Sequence, residues 1–493
     1  MPVFSSLNWR MRVSFAVVLA LLLTLTVTSL TFASGGVPLV KLSNDPYTNS
    51  SSQHKTQVEP DVFSYGSTIV AVVQSGRFPD GGSSNIGWAT SSNSGASWTH
   101  GFLPGTTAYS KPKGKYTAIS DPAVAYDAAH STWIISSLAL LGNGPSSYGA
   151  AVLVSQSTNG GTTWSKPVTV ATTNGFYDKD WITCDVTSSS TYYGHCYVEW
   201  DDAANGNNML MSTSSNGGNS WGSPVHPSGA NGLGGQPVVQ PNGTVIVPFE
   251  SLSGTIASYK STNGGSSWGS VTNIASIQEA NDPGGIRAGP LPSAQVDGAG
   301  NVYVVWSDCR FESGCSANDI VMSTSANGTT WSSVVRIPID AVGSGVDHLL
   351  PGIGVDRSTS GSSAHLALVY YYYPSTNCSS STCKLYVGFV SSTNGGSTWS
   401  AGTQLAGPMK TTWLANTDQG YMVGDYMAAA ISNGKAFPVF AVATANKGSK
   451  FNESLYSVSG GLAVSGGTNA VSNKVLTHAP SDGGRVRVAV TAF

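Results

Sequence analysis

Arg77, Arg287 and Arg310 stand out in a 493-residue chain of which only 10 % is charged. A guanidinium is a planar fork that pairs with a carboxylate through two parallel hydrogen bonds. Three arginines that met could therefore hold an acidic group of a ligand. Carboxylates occur in comparable places. Asp180, Glu199, Glu250 and Asp308 sit where β-like runs begin or end, and are candidates for acid, base or positioning roles. Asp121, Asp178, Lys179, Asp425 and Tyr426 fall in similar spots. The pairs Asp178 with Asp180 and Asp201 with Asp202, and Asp347 beside His348, could hold a structural Ca²⁺, a hard ion that takes oxygen ligands. The chain has no EF-hand spacing and no His-rich ligand set, so no catalytic metal or other cofactor is expected. Trp181, Trp413 and the run Tyr370 to Tyr373 could stack on sugar rings, whereas Trp200, at a strand end, reads as packing.

What must position these residues is a repeat. The pattern Ser-x-Asn-x-Gly-x-Ser/Thr-Trp occurs at Ser91 to Trp98, Ser157 to Trp164, Ser214 to Trp221, Ser261 to Trp268 and Ser392 to Trp399, with a shorter copy from Ser325 to Trp331. Self-similarity at tens of residues signals a repeat architecture. Asn and Gly tolerate positive φ and the hydroxyls can bond the local backbone, so each copy reads as a tight turn between two antiparallel strands. Around the copies a four-strand unit recurs, with openings near Glu59, Asp121, Trp181, Gln236, Leu291, Leu350 and Met422: seven openings against six copies. Joining the third strand to the fourth, the copies belong on one face, and the arginines and acids collect on the opposite rim, where function-bearing loops are expected.

The octapeptide resembles the Asp-box, or BNR repeat, of the sialidase superfamily, with Asn at the Asp position. That resemblance implies an all-β fold, a β-propeller of Asp-box blades: seven on the count of openings, with six, the usual number of the family, as the alternative. It implies a function as well: an exo-acting sialidase-like glycoside hydrolase on sialylated or other acidic glycans, in which three arginines grip the sialic acid carboxylate and a Tyr nucleophile works with a Glu and an Asp acid. Here Arg77, Arg287 and Arg310 would be the substrate-binding set, Tyr426 or one of Tyr370 to Tyr373 the nucleophile, and Asp180, Glu199, Glu250 and Asp308 its partners. The family's first arginine lies in a Phe/Tyr-Arg-Ile-Pro motif near the start of the propeller. In this chain Arg336-Ile337-Pro338 follows the fifth copy instead. The alternative reading is a non-catalytic propeller that binds glycan or protein at the same rim.

Composition narrows the setting. Net charge is −3 with no long basic run, which argues against nucleic acid as a partner. Arg10 and Arg12 precede an apolar run from Val13 to Leu30, and Thr31-Phe32-Ala33 offers small residues at a cleavage site. Residues 1–33 thus read as a signal peptide, which leaves a secreted, monomeric protein with no membrane segment after cleavage and a glycan or glycoconjugate as partner. Six cysteines fit that compartment and are expected to pair locally: Cys184 with Cys196, Cys309 with Cys315, Cys378 with Cys383. Residues 57–460 would form the propeller. Residues 34–56 could close its ring through Val37 to Leu42, in competition with C-terminal strands at Val475 to Leu476 or Arg485 to Val490. Residues 461–493 are a tail or a closing strand, Gly/Ser-rich and loosely attached at its start.

Overall fold

The computed structural model describes residues 36–142 and 144–475. The expected signal peptide and the segment Arg485 to Val490 lie outside them, and Val475 to Leu476 straddles their end.

The fold is all-β and antiparallel. A representative unit runs Thr132–Leu141 between Ala118–Asp127 and Tyr148–Ser157, with Val168–Thr172 on the outside. Among the described residues seven such units follow one another, with first strands Gln57–Tyr65, Ala118–Asp127, Tyr177–Cys184, Val238–Val239, Ser293–Val296, Asp347–Val355 and Ala428–Ser432. In the third unit the outer position is reduced to a bridge between Met211 and Val225. In the seventh it is taken by Leu39–Lys41 from the other end of the chain, antiparallel to Glu453–Val458. The first strands touch in chain order, and that of the seventh unit touches that of the first.

The six octapeptides all form the turn after a third strand, and one hydrogen-bond scheme explains why the pattern recurs. In the second unit Ser157 Oγ donates to Asn159 Oδ1 at 2.9 Å and accepts the Gly161 amide at 3.0 Å. Asn159 Oδ1 also accepts the Thr163 amide at 3.0 Å, and its Nδ2 donates to Thr163 Oγ1 at 2.7 Å. Trp164 Nε1 returns to the Gly161 carbonyl at 3.1 Å. Every partner lies within four residues, so the turn folds on its own sequence. The amide donation to a hydroxyl recurs at Asn93, Asn216, Asn263 and Asn394, so both ends of each Asn side chain are used in the turn.

The core lies between neighbouring units. Trp200 is fully buried there with Ile182, Val198 and the Cys184–Cys196 bridge. The three expected disulfides are present: Cys184 and Cys196 face each other across two strands, and Cys309–Cys315 and Cys378–Cys383 close loops between second and third strands. The Gly/Ser-rich tail departs from the loose attachment expected of it. Leu462–Ala463 pairs with the strand Lys435–Ala443, Asn469–Ala470 pairs with Thr398–Trp399, and the Arg336 amide bonds the Ser472 carbonyl at 2.8 Å. Small residues let the tail lie flat on the edges of three units and satisfy their free backbone groups.

Candidate functional site

Four of the seven first strands begin with a kink. The ladder breaks between Val58 and Asp61, Ser120 and Ala123, Asp178 and Trp181, and Leu349 and Gly352. Inside each break one non-glycine residue is left-handed: Glu59 (φ 57°), Asp121 (φ 47°), Lys179 (φ 52°) and Leu350 (φ 51°). A bulge of this kind re-aims a side chain at the cost of roughly 1–3 kcal/mol of local strain, and such strain gathers at functional sites. Proline follows at Pro60, Pro122 and Pro351 and withdraws an amide from the ladder where it breaks.

The kinked residues lie at one end of the space between the first strands. A narrow cleft of about 30 Å³ there is lined by Lys179, Asp180, Trp181, Gly234, Leu291, Leu350, Asp425 and Tyr426. Its wall is divided by chemistry. The third and seventh units bring Lys179, Asp180 and Asp425, while the fourth, fifth and sixth bring Gly234, Leu291 and Leu350. Glu59 and Asp121, from the first and second units, stand behind the charged wall and act on its residues electrostatically.

Asp425 is the hub. It accepts Arg287 Nε at 2.7 Å, a second bond from the Arg287 Nη2, and a bond from Lys179 Nζ. Burial works against its charge, yet the Arg287 guanidinium and the Lys179 ammonium outweigh that and hold its carboxyl well below the usual range. The surrounding acids go the other way. Burial, then the neighbouring Asp121, pushes Glu59 and Asp180 well above normal. Glu199 is raised by burial and by Asp201 and Asp180, and Asp201 by burial and Asp178. Asp178 rises to about 6, burial and Asp121 exceeding the pull of Lys179. Glu250 rises to about 7 through burial, against Lys179. The oxygens of Asp180 and Glu199 are buried without a hydrogen-bond partner among the described residues, and Glu199 fits only because Gly235 leaves room: a Cβ there would lie 2.6 Å from its Cδ.

Two long connections hold Arg287 in place. The Arg287 amide donates to the Tyr421 carbonyl at 2.7 Å, so the connection between the fourth and fifth units meets that between the sixth and seventh. Arg287 is thereby laid onto Asp425 by backbone pairing as well as by charge.

The candidates from the sequence separate accordingly. Arg77 and Arg287 are brought into one electrostatic group with Glu59, Asp121 and Asp425. Arg77 is itself buried, with Nη1 on the Gly82 carbonyl at 3.0 Å. Arg310 is bound elsewhere, forked onto Asp308 at 2.7 Å and bonded to the Ser276 carbonyl, and Asp308 also accepts Trp306 Nε1. That pair anchors its own loop. Asp180, Glu199 and Glu250 belong to the central group. Tyr426 lines the cleft edge-to-face with Trp181, its ring 4.8 Å away; its hydroxyl donates to the Pro122 carbonyl at 3.2 Å, and burial followed by the charges of Glu59 and Asp121 pushes its pKa up. Of the expected carboxylate pairs, Asp202 turns away to Asn205, and Asp347 turns to Asn318 while His348 faces Asp340. Glu59 was legible only as a strand opening. The signal that could have found it is the charged residue before proline shared by Glu59-Pro60 and Asp121-Pro122.

No family model matches the sequence, and no curated protein matches it. Solved structures similar to the chain include a leech intramolecular trans-sialidase complexed with 2,7-anhydro-Neu5Ac, at 12 % identity and TM-score 0.44 over 65 % of each chain. The Hadza microbial sialidase Hz136 is 14 % identical at TM-score 0.45, over 64 % of this chain and 63 % of its own. NanB sialidase from Streptococcus pneumoniae is 14 % identical at TM-score 0.42, over 85 % of this chain and 70 % of its own. The chain thus spans slightly under two thirds of the first two proteins.

Proposed function

We propose that the protein is a secreted, seven-bladed β-propeller that acts on sialylated or other acidic glycans as a sialidase-like glycoside hydrolase. The ring is supported by the contact between the first strands of the seventh and first units and by Leu39–Lys41 completing the seventh. The activity rests on one observation: Arg287 and Lys179 converge on Asp425 beside two acids, Asp178 and Glu250, that titrate at about 6 and about 7.

In this reading the substrate carboxylate takes over the Arg287 fork and the Lys179 ammonium from Asp425, and Asp425, buried and without its cations, takes up a proton. Glu250, about half protonated at neutral pH, or Asp178 on the acid side of it, supplies the proton to the leaving glycosidic oxygen, and water adds to the anomeric carbon as that bond breaks. Trp181 offers a ring face to the sugar, and Leu291 and Leu350 take its apolar side.

One observation favours the second reading, a non-catalytic glycan-binding propeller. Tyr426 donates to a backbone carbonyl and its pKa moves up, opposite to what activates a nucleophile, and Arg310 is committed to Asp308. Release of sialic acid from a fluorogenic sialoside separates the two. The hydrolase reading expects turnover that Arg287→Lys lowers more than about tenfold, because lysine keeps the charge and loses the fork. Specific binding of sialylated over neutral glycans with no turnover would replace it by the binding reading.

A further inference from the structure

We propose that Asp319, Asp340 and His348 form a zinc site that clips the fifth unit to the sixth. Asp319 opens the strand Asp319–Ser325, His348 lies in the strand Asp347–Val355, and Asp340 comes from the connection between the two units. A carboxylate oxygen from each aspartate and a ring nitrogen of His348 lie within 4.8 Å of one another.

The hydrogen bonds around the three residues leave His348 Nε2 and Asp319 Oδ2 over, and Asp340 Oδ2, which accepts Ser344 Oγ at 2.6 Å, keeps a second lone pair. His348 Nδ1 faces the Asn318 carbonyl at 3.2 Å, which makes Nδ1 the N–H and turns Nε2 into a lone pair. That lone pair points at a second acceptor, Asp340 Oδ2, 3.9 Å away. Two acceptors facing each other repel unless a cation lies between them. A carbonyl holding the far ring nitrogen is also the arrangement that orients metal-binding histidines. Arg336 takes only one oxygen of each aspartate: its Nε meets Asp319 Oδ1 at 2.7 Å and its Nη2 meets Asp340 Oδ1 at 2.5 Å. Asp319 Oδ2 is buried with no partner, and Asp319 as a whole is 2 % exposed.

Charge agrees. Glu312 stands near and caps the connection by accepting the Gly343 amide at 2.9 Å, so three carboxylates oppose one guanidinium. A divalent ion balances the remainder. One imidazole nitrogen and two carboxylate oxygens are ordinary zinc ligands, and about 2.0–2.2 Å from a common centre they would stand about 3.4 Å apart, which side-chain rotation of the two aspartates must supply. Tyr370 and Tyr372 wall the imidazole, with ring centroids 5.5 and 6.3 Å away, and keep it from turning out. The arrangement lies apart from the Asp425 group and shares no residue with it.

The test uses the full chain, stripped with chelator and titrated with Zn²⁺ alone. We expect one zinc per chain by elemental analysis and a raised Tm on adding it, with His348→Ala and Asp340→Asn each weakening zinc binding at least about tenfold. Should His348→Ala not fold, Asp340→Asn, at a loop position where the side chain is 21 % exposed, carries the test. Stoichiometric zinc that both variants retain, a Tm unmoved by zinc, or a response to Ca²⁺ and not to Zn²⁺ would overturn the assignment.

Discussion

The two faces of the molecule solve opposite problems. On one, six turns each tie their Ser and Asn side chains to groups within a few residues and hold no buried charge: Asn159 bonds Ser157 and Thr163, and neither needs the rest of the fold. On the other, Asp425 meets Lys179 across 246 residues of sequence and Arg287 across 138. Its neighbours Glu59, Asp121 and Lys179 are bent into left-handed backbone and surrounded by acids whose charge is suppressed. The difference teaches that the repeat builds a frame whose stability is local, and that the frame in turn holds strain and like charge together where a ligand could use them.

The largest effect should come from breaking the hub. Asp425→Ala leaves two buried cations without their anion, and the loss of stability in urea unfolding should reach about 3–5 kcal/mol. Asp425→Asn should cost less, since it keeps a hydrogen-bond acceptor for Arg287. A loss below about 1 kcal/mol for the alanine variant would mean that the cleft does not hold its charges as tightly as the local turns hold theirs.

A smaller effect separates the faces by pH. Glu250 titrates at about 7 in the folded protein against an ordinary 4.5. Between those values the unfolded chain has released a proton that the folded chain keeps, so this contribution to stability is full at low pH and is lost as pH rises through about 7. Asp425 works in the opposite sense: its depressed pKa stabilises above the ordinary carboxylate range and that gain is lost as pH falls below it. Stability should therefore peak on the acid side of neutrality. Glu250→Gln should flatten the decline between about pH 4 and 8 by roughly 3 kcal/mol, whereas Asn159→Asp should leave that stretch of the pH profile unaltered. An unchanged slope in the Gln variant would place Glu250 in water.

The smallest effects belong to the turns. Asn159→Ala removes the acceptor of two bonds and the donor of a third, and should cost about 1–2 kcal/mol while leaving glycan turnover or binding as in the parent. Asn159→Asp should stay within about 0.5 kcal/mol, because Thr163 can reverse its hydroxyl and donate to the carboxylate. A change in turnover in either variant, measured with the same sialoside, would show that the faces are coupled.

The sequence by itself determined the all-β class, the turn in each octapeptide and the three disulfides, because these depend on residues close together in the chain: four apart in a turn, and 12, 6 and 5 apart between paired cysteines. It also marked Asp180, Glu199, Glu250, Arg77 and Arg287 as members of one charged rim. Only the tertiary structure decided that Arg310 belongs to Asp308, that Asp425 gathers Arg287 and Lys179, and that Glu59 stands with Asp121 behind the cleft. A guanidinium pairs with whichever carboxylate the backbone sets within reach. That choice follows from how the bulges turn the first strands and how the connections cross between distant units, and no local spacing encodes either.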